Sequence, residues 1–200
     1  MAVSLTKRTV CGVGYVGVAK DFEPQYSQKS HPKFYKIWLF MIRKCYSSNF
    51  IDKNENNLES SVSADWQNFQ NFCAWCIDNY IEGNVLSKNA LVKGNNLYSA
   101  ATCEFITNKL NLLLRNNRPF GDESKYPLGV SKNKNGSFTA NIIYDEKHIG
   151  LGTFDTPEDA FERYKHNKER IIQEAAWMNR NRLSSRALEA ILKYKVEITD

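Results

Sequence analysis

From Pro32 onward, Phe34, Ile37, Trp38, Met41, Ile42 and Cys45 recur at intervals of three and four, so one face of a helix is apolar. Lys33, Lys36, Arg43 and Lys44 fall on its flanks. A second helical stripe, Trp66, Phe69, Phe72, Cys73, Cys76, Ile77 and Tyr80, predicts a helix over about Asp65 to Tyr80. Before the first helix, Val10-Cys11-Gly12-Val13-Gly14-Tyr15-Val16-Gly17-Val18 carries too many glycines for a helix and reads as an extended, turn-rich entry. No Lys-Ser/Thr follows those glycines, so a phosphate loop is not expected. The polar run Ser47 to Ser63 reads as a loop. Val85 to Tyr98, turning at Gly94-Asn95-Asn96, reads as a hairpin. A helical period returns at Phe105, Ile106, Leu110, Leu113 and Leu114. Asn116 to Lys125, with Pro119 and Gly121, is polar and reads as a break.

Beyond the break the period falls to two. Phe138, Ala140 and Ile142 alternate with Thr139, Asn141 and Ile143 behind a turn at Asn133 to Gly136, which predicts a half-buried strand. Leu128 to Lys132 and Lys147 to Gly152 flank it as strands. Thr156-Pro157-Glu158-Asp159 has the features of a helix start: an N-cap threonine, proline in the first position and acids in the first turn. The face that follows is Ala160, Phe161, Tyr164, the stem of Lys168, Ile171 and Ala175. A last helix runs from Ser184 to about Lys195 with Leu188, Ile191 and Leu192.

Composition narrows the class. Two hundred residues suit one ordinary domain or two small ones. No apolar run reaches the length of a membrane span and Met1 to Arg8 shows no signal-peptide core, so the expectation is an intracellular, cytoplasmic protein without membrane contact. Five cysteines and no export signal point to reduced thiols rather than a disulfide framework. Cys73-Ala74-Trp75-Cys76 puts both sulfurs on the apolar stripe, without a second pair or a nearby histidine, and reads as core rather than as a zinc or redox motif. The net charge is +5, and it is unevenly placed: 14 Lys/Arg against 9 Asp/Glu up to Phe120, and 13 against 13 after it. A basic half suits a polyanion partner.

Two stretches carry family resemblances. Tyr126-Pro127-Leu128-Gly129-Val130 through Gly150-Leu151-Gly152-Thr153-Phe154-Asp155-Thr156-Pro157-Glu158-Asp159-Ala160 resembles the DNA-binding domain of plant ethylene-response factors, the Apetala-two type. That resemblance implies a three-stranded antiparallel sheet on one helix, its open face in the major groove. Carried over residue by residue, the family's contact positions fall on Leu128, Ser131, Asn133, Asn135, Asn141, Ile143, His148 and Gly150. The arginines and tryptophans of the plant domains are replaced here, so their target sequence does not transfer.

The first half, over Tyr35-Lys36-Ile37-Trp38-Leu39-Phe40-Met41-Ile42-Arg43-Lys44-Cys45-Tyr46, resembles the Tyr-x-x-Trp-x-x-Met-x-x-Arg-Cys-Tyr opening of phage HNH-type homing endonucleases, with Lys44 at the arginine position. Asp65-Trp66, Leu86-Ser87-Lys88-Asn89, Gly94-Asn95-Asn96-Leu97-Tyr98-Ser99, Thr102-Cys103 and Asn111-Leu112-Leu113 follow in the family's order. An HNH centre needs a general-base histidine and a metal-holding carboxylate or histidine. Ser87 and Asn89 stand where relatives carry acids or histidine, and none of His31, His148 and His166 lies in the segment.

The resulting expectation is an α+β chain. It comprises a degenerate HNH-like domain over 1–118, a linker over 119–125, an Apetala-two-like domain over 126–176 and a helical extension over 177–200. The expected function is a phage-type, cleavage-deficient protein that binds double-stranded DNA. Ser131, Lys132, Asn133, Lys134, Asn135, Thr139, Asn141, Lys147, His148, Lys88 and Lys93 are the expected DNA contacts, with Lys109 a further phosphate candidate. No catalytic residue, metal ligand or cofactor is expected. A divalent metal such as magnesium belongs only to the alternative of an active nicking enzyme, where Asp78 or Glu82 would serve. A second alternative is a phage protein that binds a host protein to block a defence system.

Overall fold

The computed structural model describes residues 10–17, 25–48, 60–115, 125–145 and 147–199. Met1 to Arg8, Val18, most of the Ser47 to Ser63 loop and the break at 116–124 lie outside the described residues, as does Glu146. The chain is a mixture of helices and strands that divides into two compact units. One takes the residues up to Lys88 together with Gly94–Phe105, and the other takes Asn89–Lys93 together with Ile106 onward.

In the first unit, α1 (Pro32–Tyr46) starts on a proline and buries Trp38, Met41, Ile42 and Cys45, the stripe that its periodicity predicts. Helix α2 (Phe69–Asn79) begins later than Asp65, because Asn68 caps it by accepting from the Gln70 amide and bridges to Tyr15. Residues 64–67 form turns instead. The aromatic core joins Trp38, Trp66, Phe69, Phe72, Tyr98 and Phe105 with four cysteines. Trp38 Nε1 donates to the Trp66 carbonyl at 2.8 Å, which satisfies a buried donor. The glycine-rich entry is close-packed: a Cβ on Gly14 would stand 2.9 Å from the Trp38 ring. Only glycine leaves room there.

The predicted hairpin over Val85 to Tyr98 is not formed. Strands β2 (Asn84–Ser87) and β3 (Leu97–Tyr98) do not pair with each other. β3 runs parallel to β1 (Ser61–Val62), a strand inside the stretch expected to be loop, and β2 pairs with β4 (Glu104–Thr107). The helix expected from Phe105 begins only at Asn108. Phe105 and Ile106 belong to β4, whose four residues are all buried, and Thr107 caps α3 (Asn108–Leu113) by accepting from Leu110 N. A short, wholly buried run carries no period, which is why helix and strand look alike there.

The second unit holds the three-stranded antiparallel sheet β5-β6-β7, formed by β5 (Val130–Lys132), β6 (Phe138–Tyr144) and β7 (Lys147–Phe154). It packs on α4 (Pro157–Met178). Thr156 Oγ1 accepts from Asp159 N at 3.1 Å, and Pro157 opens the helix. Ala160, Phe161, Tyr164, Lys168, Ile171 and Ala175 are buried as their spacing predicts. Val130, Ala140 and Ile142 point into the same core, and Leu128 joins them at 7% exposure. Leu128 is therefore a core residue rather than a surface contact. Gly129 has φ +78°, and a Cβ there would run into the Tyr164 ring. The last helix, α5 (Ser185–Leu192), is capped by Ser184 and folds back on α4. Glu169 holds its exit, accepting from Val196 N at 2.9 Å.

Candidate nucleic-acid interface

Strand alternation decides what the sheet shows on the side away from α4. In register, Ser131 faces Thr139, Thr139 faces Thr153, Asn141 faces Gly150 and Ile143 faces His148. The β6–β7 pairing slips by one between Ala140 and Asn141, so Leu151 has no opposite residue. That slip turns Thr153 onto the open face. The residue was missed by its sequence, since the alternation of β7 breaks where a bulge inserts an extra position.

The open face is a row of short polar side chains. Asn133 Nδ2 donates to Ser137 Oγ (2.9 Å) and to Thr139 Oγ1 (2.8 Å), and Asn135 Oδ1 accepts from Ser137 N and Oγ. Both amides thus hold the β5–β6 turn together. Asn141 is less committed, with one long bond from Nδ2 to Ser131 Oγ at 3.3 Å. Opposite it, a Cβ on Gly150 would still lie 4.0 Å from Asn141 Oδ1, so the strand beside the amide is bare backbone. Ile143 stands out at 60% exposure.

Cations stand at both ends of β6, but by register Lys132 shares the side of Phe138 and Lys147 that of Tyr144, two rings packed on the core, and only His148 shares the open side with Ile143. Lys132 and Lys134 lie at the first turn, and Lys147 and His148 open β7 at the second, all four exposed. Lys132 Nζ sits 5.8 Å from the Phe138 ring centroid. Among the described residues no carboxylate pairs with Lys132, Lys134 or Lys147. Lys109, on α3, is engaged: Nζ is 4.4 Å from the Tyr144 ring centroid and 3.3 Å from Asp145 Oδ1. The Tyr144 hydroxyl and then Asp145 hold its ammonium above the ordinary lysine range.

The other two lysines expected at DNA have internal bonds. Lys88 is half-buried, donating to the Asn95 carbonyl (2.8 Å) and to Asn96 Oδ1 (2.9 Å), and burial pushes its pKa down. Asn95 in turn donates to the carbonyls of Lys88 and Leu97, so it ties a loop locally. Lys93 belongs to the second unit, where it donates to the Lys195 carbonyl at 2.8 Å beside the Tyr194 ring. Lys88 and Lys93 thus fall in different units.

Ser87 is 1% exposed, and its hydroxyl has no hydrogen-bond partner among the described residues. Of the acids considered for a metal, Glu82 pairs with Lys33 at 2.7 Å and Asp78 is exposed. His31 Nδ1 bonds Ser30 Oγ at 2.9 Å. Cys73 and Cys76 are fully buried on the apolar stripe, and burial raises both thiols, Cys73 to about 11. Among the described residues no three His, Cys, Asp or Glu side chains gather into a metal-holding group, and no helix is long and apolar enough to cross a membrane.

No family model, no curated protein and no solved structure matches the chain.

Proposed function

We propose that this chain binds duplex DNA through the open face of β5-β6-β7 and does not cut it. The observation that carries the reading is the row Ser131, Thr139, Asn141 and Thr153 on the open face, with His148 on the same side and Lys132, Lys134 and Lys147 at the strand ends, where their long stems reach toward flanking phosphates. Short hydroxyl and amide side chains match the donor and acceptor edges of base pairs, while ammonium groups at the ends match phosphates. The major groove, about 12 Å wide, admits a β-ribbon, and the resemblance to the plant domain points the same face at it. Asn141 is the residue best placed to read adenine, and the exposed Ile143 suits the methyl group of thymine.

The buried Ser87 supports a role without cleavage. A serine hydroxyl is a poor general base near neutral pH, and at 1% exposure this one cannot reach a scissile phosphate without movement of the strand.

Gel-shift and cleavage assays on phage and host DNA fragments, with magnesium or manganese and at several salt concentrations, test the proposal. Binding without nicks is expected, with affinity falling steeply as salt rises. Metal-dependent nicks would overturn the non-cleaving part. Absence of duplex binding at low salt would overturn the whole reading and leave a protein partner in its place.

A further inference from the structure

Helices α4 and α5 form an antiparallel hairpin whose closed end differs from the rest of the second unit. There α4 finishes on Trp177 and Met178, 58% and 79% exposed, although the preceding Ala175 and Ala176 are buried in the core. Two adjacent large apolar side chains largely exposed at a helix end gain little from folding and are available to a partner. Glu174, one turn earlier, is paired with Arg170, and the sequence that follows is basic. Between Glu174 and Glu189 the sequence holds Arg180, Arg182 and Arg186 and no acid, and all three arginines are exposed. Arg180 is also positioned: its Nη1 donates to the Trp177 carbonyl at 3.0 Å, and its guanidinium carbon lies 5.1 Å from the Trp177 ring centroid.

An exposed indole with the Arg180 guanidinium against it, in a segment that also carries Arg182 and Arg186, selects among partners. A purely apolar partner would have to desolvate the arginines. An anionic partner that also carries flat rings satisfies both features, with bases on the indole and phosphates on the arginines. Within an intact duplex the base faces are already stacked, so the indole needs bases that are unpaired.

We infer that Trp177, Met178, Arg180, Arg182 and Arg186 form a second nucleic-acid contact, one for single-stranded DNA, distinct from the sheet face. It goes beyond the duplex reading and does not depend on it.

Tryptophan fluorescence of the full chain tests this, because Trp38 and Trp66 are buried and Trp75 is half-buried, leaving Trp177 as the one largely exposed indole. Titration with an oligothymidylate should quench the emission saturably, and in W177F the quench should vanish. In an anisotropy assay with a labelled strand, W177A should weaken binding roughly ten- to a hundredfold. Replacing Arg180, Arg182 and Arg186 by alanine should reduce the salt slope by about two. Unchanged single-strand affinity in W177A would overturn the inference. Equal quenching by a blunt duplex would overturn the single-strand assignment, and emission that changes with protein concentration alone would point to a second copy of the chain instead. Failure of the duplex reading is separable, since Asn141→Ala and Lys147→Ala act on duplex affinity and leave the Trp177 signal in place.

Discussion

Lys168 is a charged residue placed where an apolar one would serve the fold better. It is 7% exposed on the core stripe of α4, no hydrogen bond or ion pair holds its amine among the described residues, and burial lowers its pKa from 10.5 to about 8. Below pH 8 folded and unfolded chains both carry the proton and the full penalty applies. Between pH 8 and 10.5 the unfolded chain binds more protons, so stability rises with pH and the penalty disappears near the upper limit. A shift of this size corresponds to about 3 kcal/mol. Lys168→Met should therefore raise the thermal midpoint at pH 7 by several degrees, and the gain over the parent should shrink when the melts are repeated toward pH 10. On the sheet, the two asparagines expected to read bases should behave differently. Asn141→Ala should cost about 1–3 kcal/mol of binding and relax sequence preference at one position. Asn133→Ala removes the bonds to Ser137 and Thr139, so its effect should register in the melting temperature as well as in DNA affinity.

Elements were legible in the sequence wherever the signal is local. Thr156, Pro157 and the two acids behind it announce α4, and the stripe from Ala160 to Ala175 predicts the buried face that is observed. The alternation in β6 likewise separates Ala140 and Ile142 from Thr139, Asn141 and Ile143. What failed was pairing. β3 finds its partner in β1, more than thirty residues earlier, and β2 finds β4 across a loop, and no periodicity encodes such choices. The bulge that exposes Thr153 was hidden for the same reason, since only the partner strand reveals an unpaired residue. The outward row of the sheet was therefore readable except for that residue, while the internal bonds of Lys88 and Lys93 were not. Gly129 tests how tightly β5 is seated. With φ +78° and the Tyr164 ring against it, Gly129→Ala should destabilise the chain by about 2 kcal/mol or more, measured by urea unfolding. Thr156→Ala, which removes a cap alone, should cost only about 1 kcal/mol.

At the scale of the whole molecule, the chain passes between the two units three times, after Lys88, Lys93 and Phe105. The second unit consequently takes in residues well before the polar break: Ala90, Ile106, Leu110, Leu113 and Leu114 are all buried in its core. A fragment of residues 126–200 lacks them. At about 1.5–3 kcal/mol for each fully buried leucine or isoleucine, the loss rivals the stability of a small domain. That fragment should show no cooperative thermal transition, whereas residues 89–200 should retain one. The same division sorts the rare side chains. All five cysteines fall in the first unit, four of them buried and only Cys11 exposed, whereas Trp177 is the one tryptophan of the second. The molecule thus carries its own separate reporters of unfolding. A thiol reagent should titrate one cysteine in the native protein and the other four only as the first unit opens, and the second unit can unfold in the same sample without changing that count.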